Sequence, residues 1–292
     1  MANLKEVRIR IASVQSTQKI TSAMKMVSAS KLRRAQNAIV KLRPYSSKLN
    51  EILESISENN DSNNENVFGV QRPIEHVTLV LISSNRGMCG SFNSNVIKMG
   101  LQIIHEKYAD QYKNGNLSLI TIGKRVTEYF VKREYPVIHS DIVLTENPNY
   151  DRATEVSNLL MNSFKKKKTD SIEIIYNQFK NAATQILINE QFLPIKQKEQ
   201  TGKKSNTEYI FEPSKEIIIE ELVPKILKLQ FYKSILDSIA SEHGARMTAM
   251  HKATDNAGEM IKSLKLSYNK ARQAAITNEI SEIVSGANAL KG

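Results

Sequence analysis

The sequence predicts an α+α/β protein: two long terminal helices pairing as an antiparallel coiled coil, with an α/β domain inserted between them. Three observations carry this reading. Apolar residues recur at three-four spacing at both ends of the 292-residue chain, the middle alternates β-branched with helical runs, and two polar stretches separate the regions.

The N-terminal region, residues 3 to about 58, keeps that spacing through Val7, Ile11 and Val14, then Leu32, Ala35, Ile39, Leu42, Leu49, Leu53 and Ile56. Carried across the gap, the register lands on Gln18, Thr21, Lys25 and Ser28, so the seam turns polar within "KITSAMKMVSASKLRRAQ", residues 19–36. There a second stripe of Ile20, Met24 and Val27 is expected to carry the apolar face instead. A helix of about 55 residues is about 80 Å long, more than a single globular domain needs. Pro44 should kink it mildly at most.

"SENNDSNNEN", residues 57–66, is a polar break. Beyond it, "HVTLVLISS" reads as a strand, "VIKMGLQIIHEKYADQY" as a helix, "LSLITIG" as a strand and "KRVTEYFVKRE" as a helix. "PVIHSDIVL" then reads as a strand, "DRATEVSNLLMNSFKKKK" as a helix, and "SIEIIYNQF" and "TQILINEQFLPI" as strands. Such alternation means βαβ units around a mostly parallel sheet, a Rossmann-like α/β domain over residues 74–195. The last two runs, separated by "KNAA", fit an antiparallel edge pair.

"KQKEQTGKKSNTE", residues 196–208, reads as a charged linker, and "YIFEPSKEIIIEELV" as a short extended piece and a short helix. Pro224 suits the first turn of the helix that follows. In that helix Leu236, Ala240, His243, Met247, Met250, Thr254, Ala257, Ile261, Leu264, Tyr268, Ala271 and Ala275 keep a four-three alternation. Many are small, which permits close helix approach, and about 65 residues give a rod approaching 100 Å. The chain therefore divides into a helix over 1–58, the α/β domain over 74–195, and a C-terminal segment and helix over 209–292.

A net charge of +11 calls for an acidic partner, whether nucleic acid, membrane surface or protein, unless the whole proteome is basic. From Val7 to Asn50 the cations are Arg8, Arg10, Lys19, Lys25, Lys31, Arg33, Arg34, Lys41, Arg43 and Lys48, with no Asp or Glu. A face of one sign gives up the i,i+4 ion pairs of an ordinary solvated helix. The single cysteine, Cys89, excludes an internal disulfide and a multi-cysteine metal site. No run of about 18 apolar residues is present to span a bilayer, so membrane association is expected only through a partner.

The turn "SSNRGMCGSFN" stands where a phosphate-binding loop would, but lacks the G-x-G-x-x-G spacing, and Gly123-Lys124 lacks the rest of a P-loop. It reads as a tight turn at the strand's carboxyl end, from which Arg86 is placed to contact a partner. No histidine can be set beside Cys89 to make it a nucleophile. His243 reads as a hydrogen-bonded packing residue, and Met24, Met26, Met247 and Met250 as a core stripe. Lys165 to Lys168 read as a solvated helix end. No catalytic constellation, cofactor site or metal site is expected.

Three stretches carry a resemblance to a known family: "IASVQSTQKITSAMKMVSASKLRRAQ", "RGMCGSFN" and "SEHGARMTAMHKATDNAGEMIKSLKLSYNKARQAAITNEISEIVSGANAL". Together they resemble the gamma subunit of the rotary ATP synthase, bacterial type, above all in I-T-x-E-x-x-E-x-x-x-G-A from Ile276 to Ala287. The resemblance implies a central shaft of two helices threading a hexamer of alpha and beta subunits, with the α/β domain as a foot against the c-subunit ring and beside the epsilon subunit. Proton flow turns ring and shaft, and the shaft drives the catalytic sites through their states; the chain itself is no enzyme.

By the same resemblance Met24, Arg246, Gln273, Thr277 and Glu282 face the alpha/beta hexamer, while Tyr209, Phe211 and Glu212 lie near the c ring or epsilon. Lys25 stands where some relatives carry a carboxylate. Arg246→Ala is expected to lower coupled synthesis and leave assembly largely intact. The implied location is the cytoplasmic side of the cell inner membrane, peripheral, and the absence of an N-terminal transit segment favours a bacterial protein. Two other readings are weaker. A basic nucleic-acid-binding coiled coil explains the charge but not the small-residue seam, and a nucleotide-dependent α/β enzyme lacks its fingerprint.

Overall fold

The computed structural model describes residues 4–58, 67–195 and 215–289. The chain forms two compact units, one of Met1–Ser28 with Met247–Gly292, the other of Ala29–Arg246. Two helices, α1 (Leu4–Glu58) and α6 (Lys215–Ala289), run through both.

The larger unit is built on strands β1 (Val77–Ile82), β2 (Leu117–Ile122), β3 (Val137–Asp141), β4 (Ser171–Phe179) and β5 (Gln185–Leu193). Their order is β3-β2-β1-β4-β5, the first four parallel and β5 antiparallel to β4. All six residues of β1 are buried, as its central place requires, and so it reads as an unbroken apolar run rather than an alternation. Helices α2 (Phe92–Gln102), α3 (Ala109–Lys113), α4 (Lys124–Val131) and α5 (Tyr150–Lys165) make the crossovers. Leu79 and Leu81 of β1 and Leu119 of β2 pack with Val96, Val126 and Phe130 in one core.

Several elements differ from expectation. The helix expected from Val96 to Tyr112 is broken by a π-helical turn, Ile103–Lys107. Successive residues of a regular helix diverge by about 100°. The wider turn lets two neighbours, Lys107 Nζ and Tyr108 Oη, both donate to Glu173, a carboxylate buried in β4. Asn189 Nδ2 is a third donor at 2.6 Å. Burial acts to raise the Glu173 pKa, yet the donors Lys107, Asn189 and Tyr108 outweigh it and hold the carboxyl below its ordinary value. Strand β3 stops at Asp141 because the Asp141 carboxylate accepts the N–H groups of Val143 and Leu144, turning the chain.

Pro224 does not open a helix. It lies inside α6, nine residues after Lys215. Val223 and Leu227, each 1% exposed, bury this part of the helix, and their packing offsets the missing N–H. Pro44 likewise lies within a continuous α1.

In the smaller unit, α1 and α6 run antiparallel, with Gln18 and Thr21 meeting Thr254 and Lys25 meeting His251. The expected handover to an Ile20, Met24, Val27 stripe does not occur. Ile20 and Val27 are 60% and 57% exposed, whereas Thr21 and Ser28, on the polar register, are buried. Small hydroxyl residues satisfy one another at close range: Thr21 Oγ1 lies 2.8 Å from Thr254 Oγ1, and Ser28 Oγ donates to the Met24 carbonyl. On α6 the seam continues through Met250, Ala257 and Ile261, all buried. From Ile276 to Asn288 every residue is exposed.

Candidate functional site

In an open α/β sheet, ligands bind outside the carboxyl ends of the strands where the strand order reverses. Here that place is between β1 and β4, and the protein's own helix α6 occupies it. On the β4 side, Ser241 Oγ donates to the Asn177 carbonyl at 2.9 Å, and Gly244 packs so closely that a Cβ would sit 3.2 Å from the Ala182 oxygen. On the β1 side, Arg246 Nη2 donates to the carbonyls of Arg86 at 3.1 Å and Gly87 at 3.3 Å. Small residues at Ala240, Ser241 and Gly244 let the helix come this close.

The turn that Arg246 grips has its own supports. The Ser84 N–H donates to Asn93 Oδ1, and the Ser84 hydroxyl donates to the Arg86 carbonyl. Met88 and Gly90 take left-handed backbone, with φ of 61° and 63°, and Met88 projects into solvent. Cys89 is 1% exposed with Asn93 Nδ2 at 3.2 Å from its sulfur, and burial pushes its thiol pKa up, the reverse of what a nucleophile needs. The turn therefore directs carbonyls to Arg246 rather than N–H groups to a phosphate.

A buried ion pair anchors the grip. Arg246 Nη1 donates to Glu242 Oε1 at 2.5 Å, and both side chains are 8% exposed. Burial raises the Glu242 pKa, and the Arg246 charge only partly offsets it. His243, also buried, places Nδ1 3.4 Å from Arg246 Nη1. An arginine only donates, so this nitrogen is the acceptor and carries no proton. Burial, reinforced by the charges of Arg246 and Lys31, lowers the His243 pKa to about 4 and keeps the ring neutral. Four residues before Ser241, Asp237 is 5% exposed and lines a cleft with Arg43 and Lys233; burial raises its pKa to about 6.

The residues singled out in the sequence fall in different settings. Arg246 is 7% exposed and engaged internally, while Arg86 is exposed apart from the carbonyl that Arg246 holds. Met24 is half-buried. Gln273, Thr277 and Glu282 are exposed on α6. Gln273 and Thr277 share a face, and the Thr277 hydroxyl donates to the Gln273 carbonyl. Glu282, nine residues after Gln273, lies about two and a half turns on and so on the opposite side. Tyr209, Phe211 and Glu212 lie outside the described residues. Sequence reasoning missed Ser241, Glu242 and Gly244; the signal for Glu242 was its i,i+4 spacing to Arg246 on a face of small residues.

Because Arg246 holds Glu242, Arg246→Ala does more than remove a surface contact. It strands a buried carboxylate, and we expect a loss of about 3–5 kcal/mol in urea unfolding. Adding Glu242→Gln should restore part of it; strictly additive losses would show that the two do not act as a pair. The pH dependence divides by sign. Asp237 titrates at about 6 in the fold against an ordinary 3.8, so acidification through that window stabilises. His243 titrates at about 4 against an ordinary 6.5, so acidification from 6.5 to 4 destabilises. Relative to wild type, acidification should favour His243→Gln and disfavour Asp237→Asn, each by roughly 3 kcal/mol in unfolding titrations.

Comparison with known proteins places this geometry. The family described as ATP synthase matches residues 3–290. The chain is 53% identical over 293 residues to the ATP synthase gamma chain of Cytophaga hutchinsonii, covering 99% of each chain. It is 53% identical over 292 residues to that of Flavobacterium psychrophilum, covering 100% of each. A chain in the solved OSCP/F1/c-ring structure of Euglena gracilis mitochondrial ATP synthase shares the fold. Its TM-score is 0.67 at 17% identity, over 98% of this chain and 94% of that one. Matched from end to end at such identity, the chain belongs to the ATP synthase gamma-chain family.

Proposed function

We propose that the chain is the central rotor shaft of a proton-driven ATP synthase, coupling rotation of a c-subunit ring to conformational cycling of an alpha/beta hexamer, and that it makes no bond itself. End-to-end kinship with ATP synthase gamma chains is the observation that carries this. The α/β domain over 74–195 acts as the foot, beside epsilon and the ring, and the N-terminal helix of 1–58 with the C-terminal segment and helix of 209–292 as the shaft. Among the described residues no helix is long and apolar enough to cross a membrane. By its kinship with ATP synthase gamma chains, we read the chain as held at the cytoplasmic face of the inner membrane, peripherally, through its partners.

The geometry supplies a means of coupling. From Ile276 to Asn288 α6 is uncovered among the described residues, and the faces of this end of the helix differ: Gln273 and Thr277 on one side, Glu282 on the other. A beta subunit that meets one face and then another experiences different contact free energies, and differential affinity is what shifts a conformational population. Met24, Arg86 and Arg246 join these as partner contacts, Arg246 through the turn it holds. Tyr209, Phe211 and Glu212 complete the set as contacts to the c ring or epsilon.

Coexpression with ATPase alpha and beta chains tests the assignment: they should co-purify as one complex, while the chain alone shows neither ATP hydrolysis nor salt-sensitive DNA binding. A stable, hydrolysing monomer would overturn it. Within the complex, joint Gln273→Ala and Thr277→Ala should leave assembly intact, since both side chains are exposed, and lower ATP synthesis in membrane vesicles by about tenfold. Unchanged synthesis would remove these two residues from the coupling.

A further inference from the structure

Among the described residues the buried carboxylates hold donors, with one exception. Asp141 accepts from Arg152 and two N–H groups, Glu173 from Lys107, Tyr108 and Asn189, and Glu242 from Arg246. Asp237 of α6, 5% exposed, has neither a hydrogen bond nor an ion pair among these residues. A buried carboxylate without a donor is costly, which points to one supplied from outside the chain. Asp237 lines a cleft of about 320 Å³ in the larger unit, together with Arg43, Ser46 and Ser47 of α1, Gln178 of β4 and Lys233 of α6. The charges of Arg43 and Lys233 both act on Asp237, yet neither side chain is ion-paired or hydrogen-bonded among the described residues. The nearby Glu190 does not neutralise them, because Tyr176 Oη and Gln230 Nε2 each donate to it at 2.7 Å.

We propose that this cleft binds inorganic phosphate, with Arg43, Lys233 and the Ser46 and Ser47 hydroxyls donating to its oxygens while its own P–OH donates to the Asp237 carboxylate. Charge and proton count select this ligand. An ammonium or guanidinium group satisfies Asp237 but lies against two uncompensated cations. Sulfate, or a carboxylate of an acidic protein, suits the cations but sets a second anion without a proton against Asp237. Water donates, but it is neutral and leaves both cations unpaired, and one molecule takes only about 30 Å³. Hydrogen phosphate is an anion that keeps a proton through the neutral range, so it meets both demands. Burial raises the Asp237 pKa to about 6, so above neutrality the carboxylate is ionised and can accept that proton's hydrogen bond. The ion draws donors from α1 and α6 alike, so occupancy ties the two helices together within the larger unit. The site needs that unit alone and does not rest on the rotor reading.

The test is isothermal titration calorimetry of the full-length chain at about pH 8 with inorganic phosphate, sulfate and methyl phosphate at equal ionic strength. Sulfate has no proton there, and a phosphate monoester has lost its last one, with a pKa of about 6. Phosphate should therefore bind at a single site, about tenfold or more tightly than the other two. Replacing Arg43 and Lys233 together by Gln removes two charge-assisted bonds and should weaken phosphate binding by about 10²-fold. Asp237→Asn presents a donor as well as an acceptor, so it should bind phosphate and sulfate within about threefold of each other. A charge-matched control, with exposed Lys252 and Lys262 changed to Gln, should alter neither affinity. The comparison of the three anions on the wild-type chain requires no variant to fold. Equal affinity of the wild type for phosphate and sulfate, or no phosphate binding at roughly 10 mM, would overturn the proposal. So would undiminished binding without Arg43 and Lys233, or an unchanged preference in Asp237→Asn.

Discussion

The bond between Arg246 and the Arg86–Gly87 turn is the constraint on which the larger unit depends. A guanidinium that is 7% exposed needs acceptors, and it finds them in Glu242 and in two backbone carbonyls of the turn after β1. The same contact closes the crevice where an α/β sheet would hold a nucleotide. A fold associated with ligand binding thereby becomes a mount for a helix: α6 fills the site, and Ser241 and Gly244 fit it against β4.

The smaller unit uses a different economy of contact. Between the larger buried residues Met250 and Ile261, its helices meet through the small side chains Thr21, Ser28, Thr254 and Ala257, whose hydroxyls satisfy one another or the preceding carbonyls. Large apolar residues are left outside, among them Ile20, Met26 and Val27 on α1 and Ile280 and Ile283 on α6. Apolar groups exposed in this number are what a helix keeps when other subunits surround it. The same arrangement leaves the polar faces of α6 beyond Ala275 free to differ around the axis, which is where the rotor reading places the coupling.

Much of this was legible in the sequence because the periodicities were strong. The seam of α6 from Leu236 to Ala275 lies on buried or half-buried positions throughout, and β4 and β5 fall where their β-branched runs stand. The misreadings share a cause. At Thr21 and Ser28 the buried register is polar, and hydropathy alone hands the face to Ile20 and Val27. The π turn after α2 answers to Glu173, some seventy positions further along. Pro224 is tolerated because Val223 and Leu227 are packed, a tertiary fact. Arg246 was singled out by resemblance as an outward contact, but its burial needed the partner Glu242 and carbonyls 160 residues away in sequence.

A rotor shaft, as we propose this chain to be, turns within a fixed alpha/beta hexamer. The most direct measurement attaches a bead to an engineered cysteine at exposed Lys113 in the α/β domain, in a complex whose alpha/beta hexamer is fixed to a surface. Added ATP should drive stepwise rotation of the bead in one direction. Sustained ATP hydrolysis beneath a stationary bead, in a complex shown to contain the chain, would contradict it.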